Sequence, residues 1–264
     1  MSKNCVIMKR MKENYENRSK IFLTRRTPVI IRLDGKAFHT YTRGLDKPFD
    51  SGLINDMQDT AIYLCQNIQG AKCAYVQSDE ISILVTDFDD INTQAWFDYS
   101  IQKMCSITAS LATGRFNQLR MIRVGEKVLK QIDLEQQVID VQKLAFFDSR
   151  CFNIPKEEVS NYFLARQKDA VKNSINMVAQ SLYSHSELIG KNQNDLQEMI
   201  FDKGLNWNNF PVNQKRGSFI EKVKRFSWPY DDIVPKEIEP FLTLSDAITY
   251  KWEIIETPLN FNYD

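Results

Sequence analysis

Two acid-bearing segments stand out in the chain: Ile30-Ile31-Arg32-Leu33-Asp34-Gly35 and Gln77-Ser78-Asp79-Glu80. In each, a carboxylate follows directly on an apolar, β-prone run. The first run is Val29 to Leu33. The second, Cys73-Ala74-Tyr75-Val76, resumes after the acids as Ile81-Ser82-Ile83-Leu84-Val85. A carboxylate at a strand end projects from a rigid element into a cleft. Two of them brought together make a hard, oxygen-only site of the kind Mg²⁺ takes. Two Mg²⁺ ions on a nucleoside triphosphate would form a phosphoryl-transfer centre. Asp34-Gly35 alone reads as a strand-ending turn. The second acid pair, set between two apolar runs, favours the metal site.

Such acids need a sheet to carry them and helices to bury its apolar face. Residues 8–25 are charged and partly helical by pattern. Val29–Leu33 reads as a buried strand, and 35–48 as a loop or short turn segment. Asp50 or Ser51 can cap a helix over about 52–68, whose apolar positions are Leu53, Met57, Ala61, Leu64 and Ile68. Gly70 ends it. A hairpin follows, 72–77 and 81–86, with Ser78-Asp79-Glu80 at its turn. Asn92 or Thr93 can cap a second helix to about 113, with Ile101, Met104, Cys105, Thr108, Leu111 and Ala112 on its inner face. Residues 118–131 are ambiguous, and 143–152 read as a strand. Strand, helix, hairpin, helix, strand is the split βαβ order of a ferredoxin-like α+β sheet with helices on one face. Beyond it the chain reads as mainly helical. Pro155 can open a helix through about 183, and a shorter one runs 194–203. Residues 218–225 alternate as a strand does, and the Pro- and aromatic-rich tail from 228 is expected to pack across the body.

Composition bounds the rest. The 264 residues hold 43% hydrophobic and 26% charged side chains, an ordinary globular balance. Lys+Arg and Asp+Glu cancel at 34 each, so bulk charge announces no nucleic-acid partner. Residues 1–36 and 213–225 are locally basic, however, and such surface suits phosphate backbones or simply faces solvent. Five scattered cysteines without CxxC spacing predict a reducing, cytoplasmic setting without structural zinc or disulfides. No signal-peptide pattern and no membrane-length apolar run is present. Two histidines, His39 and His185, exclude a site of three histidine ligands within one chain.

The segments Arg32-Leu33-Asp34-Gly35-Lys36-Ala37-Phe38-His39, Lys47-Pro48 and Gln77-Ser78-Asp79-Glu80-Ile81-Ser82 closely resemble those of the tRNA-His guanylyltransferase superfamily. Trp96-Phe97 with Lys103, Phe147-Asp148-Ser149-Arg150 and Arg166-Gln167-Lys168-Asp169 continue the similarity in order, over about residues 5–220. The resemblance implies a palm-like catalytic core over 1–152 and a helical C-terminal part over 153–264 packed on it, with a single domain as the alternative. It implies nucleotide addition at an RNA 5′ end. Asp34 and Asp79 would hold two Mg²⁺ ions with the Gly35 carbonyl, and Glu80 would be a metal or supporting carboxylate. The backbone from Lys36 through Ala37 and Phe38 to His39 would wrap the triphosphate of ATP, GTP or another NTP, and Lys47 and Ser78 would touch phosphates. For His39, a ring packed against the loop is the alternative. Lys103, Arg150, Lys172 and Asn173, with Lys215 and Arg216 of the second basic cluster, stand as RNA or nucleotide contacts.

One departure narrows the branch. Members that add a single guanosine to tRNA-His carry His-Ile-Asn-Asn shortly after the Arg-Gln-x-Asp stretch, where this chain has Val171-Lys172-Asn173-Ser174. The chain is more similar to the guanylyltransferase-like branch, which implies template-dependent repair of tRNAs with incomplete 5′ ends, with 5′ adenylylation of monophosphorylated ends. A homo-oligomer, taken as a tetramer, and no membrane partner go with it. A dedicated guanylyltransferase, another palm enzyme such as a nucleotidyl cyclase, and a non-catalytic RNA binder remain as rivals.

Overall fold

The computed structural model describes residues 3–129, 143–226 and 248–255. Its centre is an antiparallel sheet in the order β4-β1-β3-β2-β5-β6. The strands are β1 (Val29–Gly35), β2 (Ala71–Gln77), β3 (Glu80–Val85), β4 (Phe147–Asn153), β5 (Ser218–Phe226) and β6 (Ile248–Ile255). The first four, with helices α3 (Ser51–Asn67) and α4 (Ile101–Leu129), make the expected ferredoxin-like unit. Ahead of it lies α1 (Lys3–Asn14), and the single turn α2 (Phe38–Tyr41) sits between β1 and α3.

Side chains alternate across a strand, and here the alternation assigns the two faces. Val29, Ile31 and Leu33 of β1 and Ile81, Ile83 and Val85 of β3 join one buried core with Met57, Ala61 and Leu64 of α3 and Met104, Ala112 and Phe116 of α4. Ile30, Tyr75 and Leu84 face the other way. They meet Val159, Phe163 and Ala170 of the long helix α5 (Val159–Leu182). The outer half of α5 carries Ile175, Val178 and Ala179 against Leu196 and Ile200 of α7 (Gln193–Asp202) and against Trp207. Short α6 (His185–Leu188) and α8 (Val212–Arg216) complete the helical part.

Helix α3 begins where its cap predicts: the Asp50 side chain accepts from the Leu53 amide at 2.7 Å. The second helix differs from the expected 93–113. It starts at Ile101, because residues 96–99 form a separate turn and residues 99–101 are held by a strand-like exchange with residues 21–23. The Leu23 amide donates to the Tyr99 carbonyl and the Ile101 amide to the Ile21 carbonyl, both at 3.0 Å. Phe97, Asp98 and Tyr99 there take left-handed φ values of 50–58°. From Ile101 the helix runs through the ambiguous stretch to Leu129. Asp56 of α3, 1% exposed, explains the extension: Arg120 and Arg123 of α4 reach it at 3.1 and 2.6 Å.

Strand β4 starts at Phe147, four residues later than expected. The preceding Ala145 spends its backbone groups on the Asn117 side-chain amide, each at 2.9 Å, instead of on a ladder. Of the tail, 248–255 is an edge strand, with Trp252 packed on the main core. Trp228, Tyr230, Phe241 and Phe261 lie outside the described residues.

Candidate active site

The hairpin β2–β3 turns through Ser78 and Asp79 alone, since Gln77 pairs with Glu80. Ser78 adopts φ +53°, a conformation that costs a side-chain-bearing residue energy and often marks a functional turn. The Gly35 amide donates to the Asp79 carbonyl at 3.1 Å, which joins this turn to the end of β1. Asp34 is in register with Glu80 on one side and Asp148 on the other. Alternation puts Arg32 and Asp34 on the α5 face with Ile30.

Two clefts meet at these acids. The larger, about 590 Å³, is lined by Asp34, Gly35, Ala37, Phe38, His39, Lys47, Ser78 and Asp79, with Met177 and Gln180 of α5 opposite. The other, about 470 Å³, is lined by Arg32, Asp34, Ser78, Asp79 and Glu80, faced by Arg166, Asp169, Asn173, Asn176, Met177 and Gln180. Asp34, Ser78, Asp79, Met177 and Gln180 border both. Both volumes suit a nucleotide-sized ligand.

Beside Asp34 the backbone makes a cradle. The Lys36 amide is spent on the Phe146 carbonyl, and Ala37 sits in the left-handed region at φ +53°. The amides of Ala37, Phe38 and His39 have no backbone acceptor among the described residues. Three successive free N–H groups form an anion-binding nest. Gly35 is required by close approach: a Cβ there would lie 2.2 Å from the Phe38 ring. That ring is buried with Tyr41, Phe116 and Phe147 and so fixes the cradle to the core.

Burial raises the Asp79 carboxyl above its usual range. Its own backbone and the Ser78 hydroxyl pull it down, and the negative charges of Asp34 and Glu80 push it further up. Among the described residues Asp79 has no ion-pair partner, and Asp34 has only a long one, Arg150, at 3.9 Å and itself bound to Asp148 at 2.9 Å. Glu80 differs. Its Oε2 accepts from Arg32 at 2.6 Å and Arg166 at 3.2 Å, and its Oε1 accepts from the Ser82 hydroxyl at 3.2 Å. Among the described residues no three His, Cys, Asp or Glu side chains form a cage. Two weakly paired carboxylates that leave positions for water and phosphate oxygens nonetheless suit Mg²⁺, which binds through one or two carboxylates and its substrate.

The remaining sequence candidates are dispersed. His39 is exposed and lines the larger cleft. Lys36 and Lys172 are exposed, and Asn173 lines the smaller cleft. Lys103, over the Phe97 ring, lies at the start of α4, away from Asp34. Lys215 donates to the Asn208 carbonyl and stacks on Trp207, while the Arg216 carbonyl accepts from Tyr75. Val171 and Ser174 turn away from both clefts. Ser174 is buried, donating to the Lys215 carbonyl at 3.0 Å and accepting from Trp207 Nε1 at 3.1 Å. The departure from His-Ile-Asn-Asn therefore alters the contact with the helical part more than the cleft wall. Sequence reasoning missed Asn176, Met177 and Gln180. Their spacing of three, four and seven from Asn173 was the available signal, because it puts all four on one face of a helix.

Acids on adjacent strand ends of a ferredoxin-like sheet, beside an anion cradle and two nucleotide-sized clefts, are the arrangement that a palm-type nucleotidyl-transfer site would need. Comparison with known proteins agrees. The family model described as Thg1: tRNAHis guanylyltransferase matches residues 8–155. A bacterial tRNA(His) guanylyltransferase (Thg1)-like protein, solved in complex with ATP, is similar over 96% of this chain and 93% of its own, with TM-score 0.76 and 41% identity. The same description with GTP gives TM-score 0.72. A probable tRNA(His) guanylyltransferase of Dictyostelium discoideum is 27% identical over 208 residues, 74% of this chain and 75% of that protein. The chain belongs to the tRNAHis guanylyltransferase family. It is a nucleotidyltransferase, and its activity in outline is nucleotide transfer to a tRNA 5′ end. Among the described residues no helix is long and apolar enough to cross a membrane.

Proposed function

We propose that this enzyme rebuilds incomplete tRNA 5′ ends by template-directed addition in the 3′-to-5′ direction, using two Mg²⁺ ions. The observation that carries the reading is the place of Asp34 and Asp79 on the shared rim of two clefts. One cleft has the chemistry for a triphosphate: the free amides of Ala37, Phe38 and His39, the Lys47 ammonium and the Ser78 hydroxyl. The other, walled by polar residues of α5, receives the RNA end. In the first transfer a 5′-monophosphate attacks the α-phosphorus of ATP and releases pyrophosphate. In the second, the 3′-hydroxyl of the incoming nucleotide attacks the activated RNA 5′ phosphorus and expels AMP. An end that already carries a triphosphate needs only the second attack, and pyrophosphate then leaves in place of AMP.

Asp34, Asp79 and the Gly35 carbonyl would hold the Mg²⁺ ions. The ions would supply charge neutralisation at the transferred phosphoryl group. The chain's own work is to position phosphates in the cradle and keep the two reactants on either side of the acids. Glu80 is read as a supporting residue, since both of its oxygens are engaged. Greater similarity to a guanylyltransferase-like protein than to the proteins named guanylyltransferase supports the repair branch.

The test is to give the enzyme, Mg²⁺ and all NTPs truncated tRNAs bearing each of the four bases opposite the missing 5′ position. The added nucleotide is expected to follow the template base. Guanosine added equally against all four would replace this reading with a dedicated guanylyltransferase. Product formed from ATP or GTP without RNA would replace it with a cyclase. The proposal includes a cytoplasmic homotetramer. Exposed Tyr250 and Ile254 on edge strand β6 offer contacts for assembly, and a fully active monomer by light scattering would remove that part.

A further inference from the structure

The side chains on the α5 face of the sheet form a closed polar network just below the acids. Glu80 Oε2 takes hydrogen bonds from Arg32 at 2.6 Å and Arg166 at 3.2 Å. Arg166 also reaches Asp169 at 2.6 Å. Ser82, two residues along β3, donates to Glu80 and shares a hydrogen bond of 2.9 Å with the Tyr162 hydroxyl. Tyr162, Arg166 and Asp169 lie at i, i+4 and i+7, one face of α5. Below them α5 is anchored by Val159 and Phe163 in apolar contact. Above them the same helix presents Asn173, Asn176, Met177 and Gln180 to the clefts. Glu80 itself follows Asp79 directly and is in register with Asp34. Its side chain is 13% exposed, so its charge is largely withdrawn from water and tied to both guanidiniums.

We propose that Arg166 is a positioning residue. Through Glu80 it sets the cleft-lining part of α5 at its working distance from the strand ends that carry Asp34 and Asp79, and it contacts neither nucleotide nor RNA. Glu80 on this view is the sheet's half of a clamp, with Arg32 as the second cation that keeps its charge from repelling the two acids. The bidentate geometry of a guanidinium is what the site uses: one nitrogen holds the sheet and another holds Asp169 on the same helix. The inference rests on Asp34 and Asp79 being the acids of the active site.

The experiment is a double-mutant cycle of Glu80→Gln, Arg166→Met and both together in the full-length protein. Nucleotide addition is measured on a truncated, 5′-triphosphorylated tRNA, and each variant's thermal unfolding is recorded beside it. Each single variant is expected to lower kcat by roughly 10–100-fold, the loss that a misplacement of about 1 Å brings. NTP and tRNA KM values should stay within about threefold, and the double variant should be no worse than the poorer single one. Arg166→Lys, which keeps the charge but not the fork, should recover only part of the loss and guards against a Met variant that fails to fold. A raised tRNA KM for Arg166→Met with a salt slope reduced by about one, both restored in Arg166→Lys, and with Glu80→Gln unaffected, would make Arg166 a phosphate contact and overturn the proposal. Multiplying effects of the two single variants would overturn it as well. An Asp79→Asn arm keeps the two readings apart. If that variant stays active, the assignment of the acids has failed, whatever the cycle returns.

Discussion

The Gly35 amide donates to the Asp79 carbonyl at 3.1 Å, and this one bond sets the two acid-bearing segments side by side. It crosses 44 residues of sequence by linking the end of one strand to the turn of a hairpin two elements later. The bond belongs to the backbone, so substitution of either acid leaves it in place. Side-chain chemistry can therefore be removed without releasing the geometry.

Asp34→Ala and Asp79→Ala should each lower nucleotide addition by ~10³-fold or more while the protein stays folded. Single-turnover assays with circular dichroism on the same samples check this. A folded variant with near-normal rate at either position would remove the two-acid assignment.

Asp79→Asn should stabilise the metal-free protein at neutral pH. Burial raises the folded Asp79 carboxyl above its unfolded value, so the folded state holds this proton more firmly. That contribution is full at pH below the unfolded pKa and is lost as pH rises through the folded one. At pH 7 the ionised, buried group is a cost, and the amide removes it. Thermal melts in chelator are expected to show a higher Tm for the variant at pH 7 and a smaller gain at pH 4. Added Mg²⁺ should raise the Tm of the parent protein and leave that of the variant unmoved.

Gly35→Ala should cost about 1–3 kcal/mol of stability, the usual range for overpacking. The new methyl would meet the buried Phe38 ring, and moving that ring shifts the Ala37–His39 amides. The KM for NTP should rise with it. Gly35→Ala combined with Phe38→Leu should recover part of the stability, as measured by urea denaturation. An unchanged KM in the single variant would separate the cradle from triphosphate binding.

Ser174→Asn, which restores one residue of the His-Ile-Asn-Asn pattern, should destabilise the protein and leave template dependence intact. Ser174 fills a buried site between Trp207 and the Lys215 carbonyl, and a larger amide there strains the packing of α5 on the helical part. Unfolding midpoints and the four-template addition assay read the two effects separately. A variant that adds guanosine regardless of template would place position 174 in the substrate site after all.

Strand and helix periodicity with cap chemistry made β1, α3 and the β2–β3 hairpin legible to within a residue or two, because each is closed by local signals: Asp50, Gly70 and the two-residue turn. The start of α4 was not legible. It depends on residues 21–23 occupying the backbone of residues 99–101, a contact with no local trace. The paired acids could be read from their positions at strand ends. The third acid, Glu80, could not be told from its neighbours by type or spacing. What sets it apart is the two arginines that reach it, one from β1 and one from α5. Met177 and Gln180 went unnoticed for a related reason: their relevance appears only once α5 is laid across the sheet.

Because Met177 and Gln180 border both clefts, the enzyme has a single partition where two independent pockets could have evolved. A substitution that widens one chamber narrows or repolarises the other. On the proposed assignment of the two clefts, preference for the incoming nucleotide and preference for the RNA end are then inherited together, and neither can drift alone. Engineering the enzyme toward a new primer end will select compensating changes on the nucleotide side of the same helix.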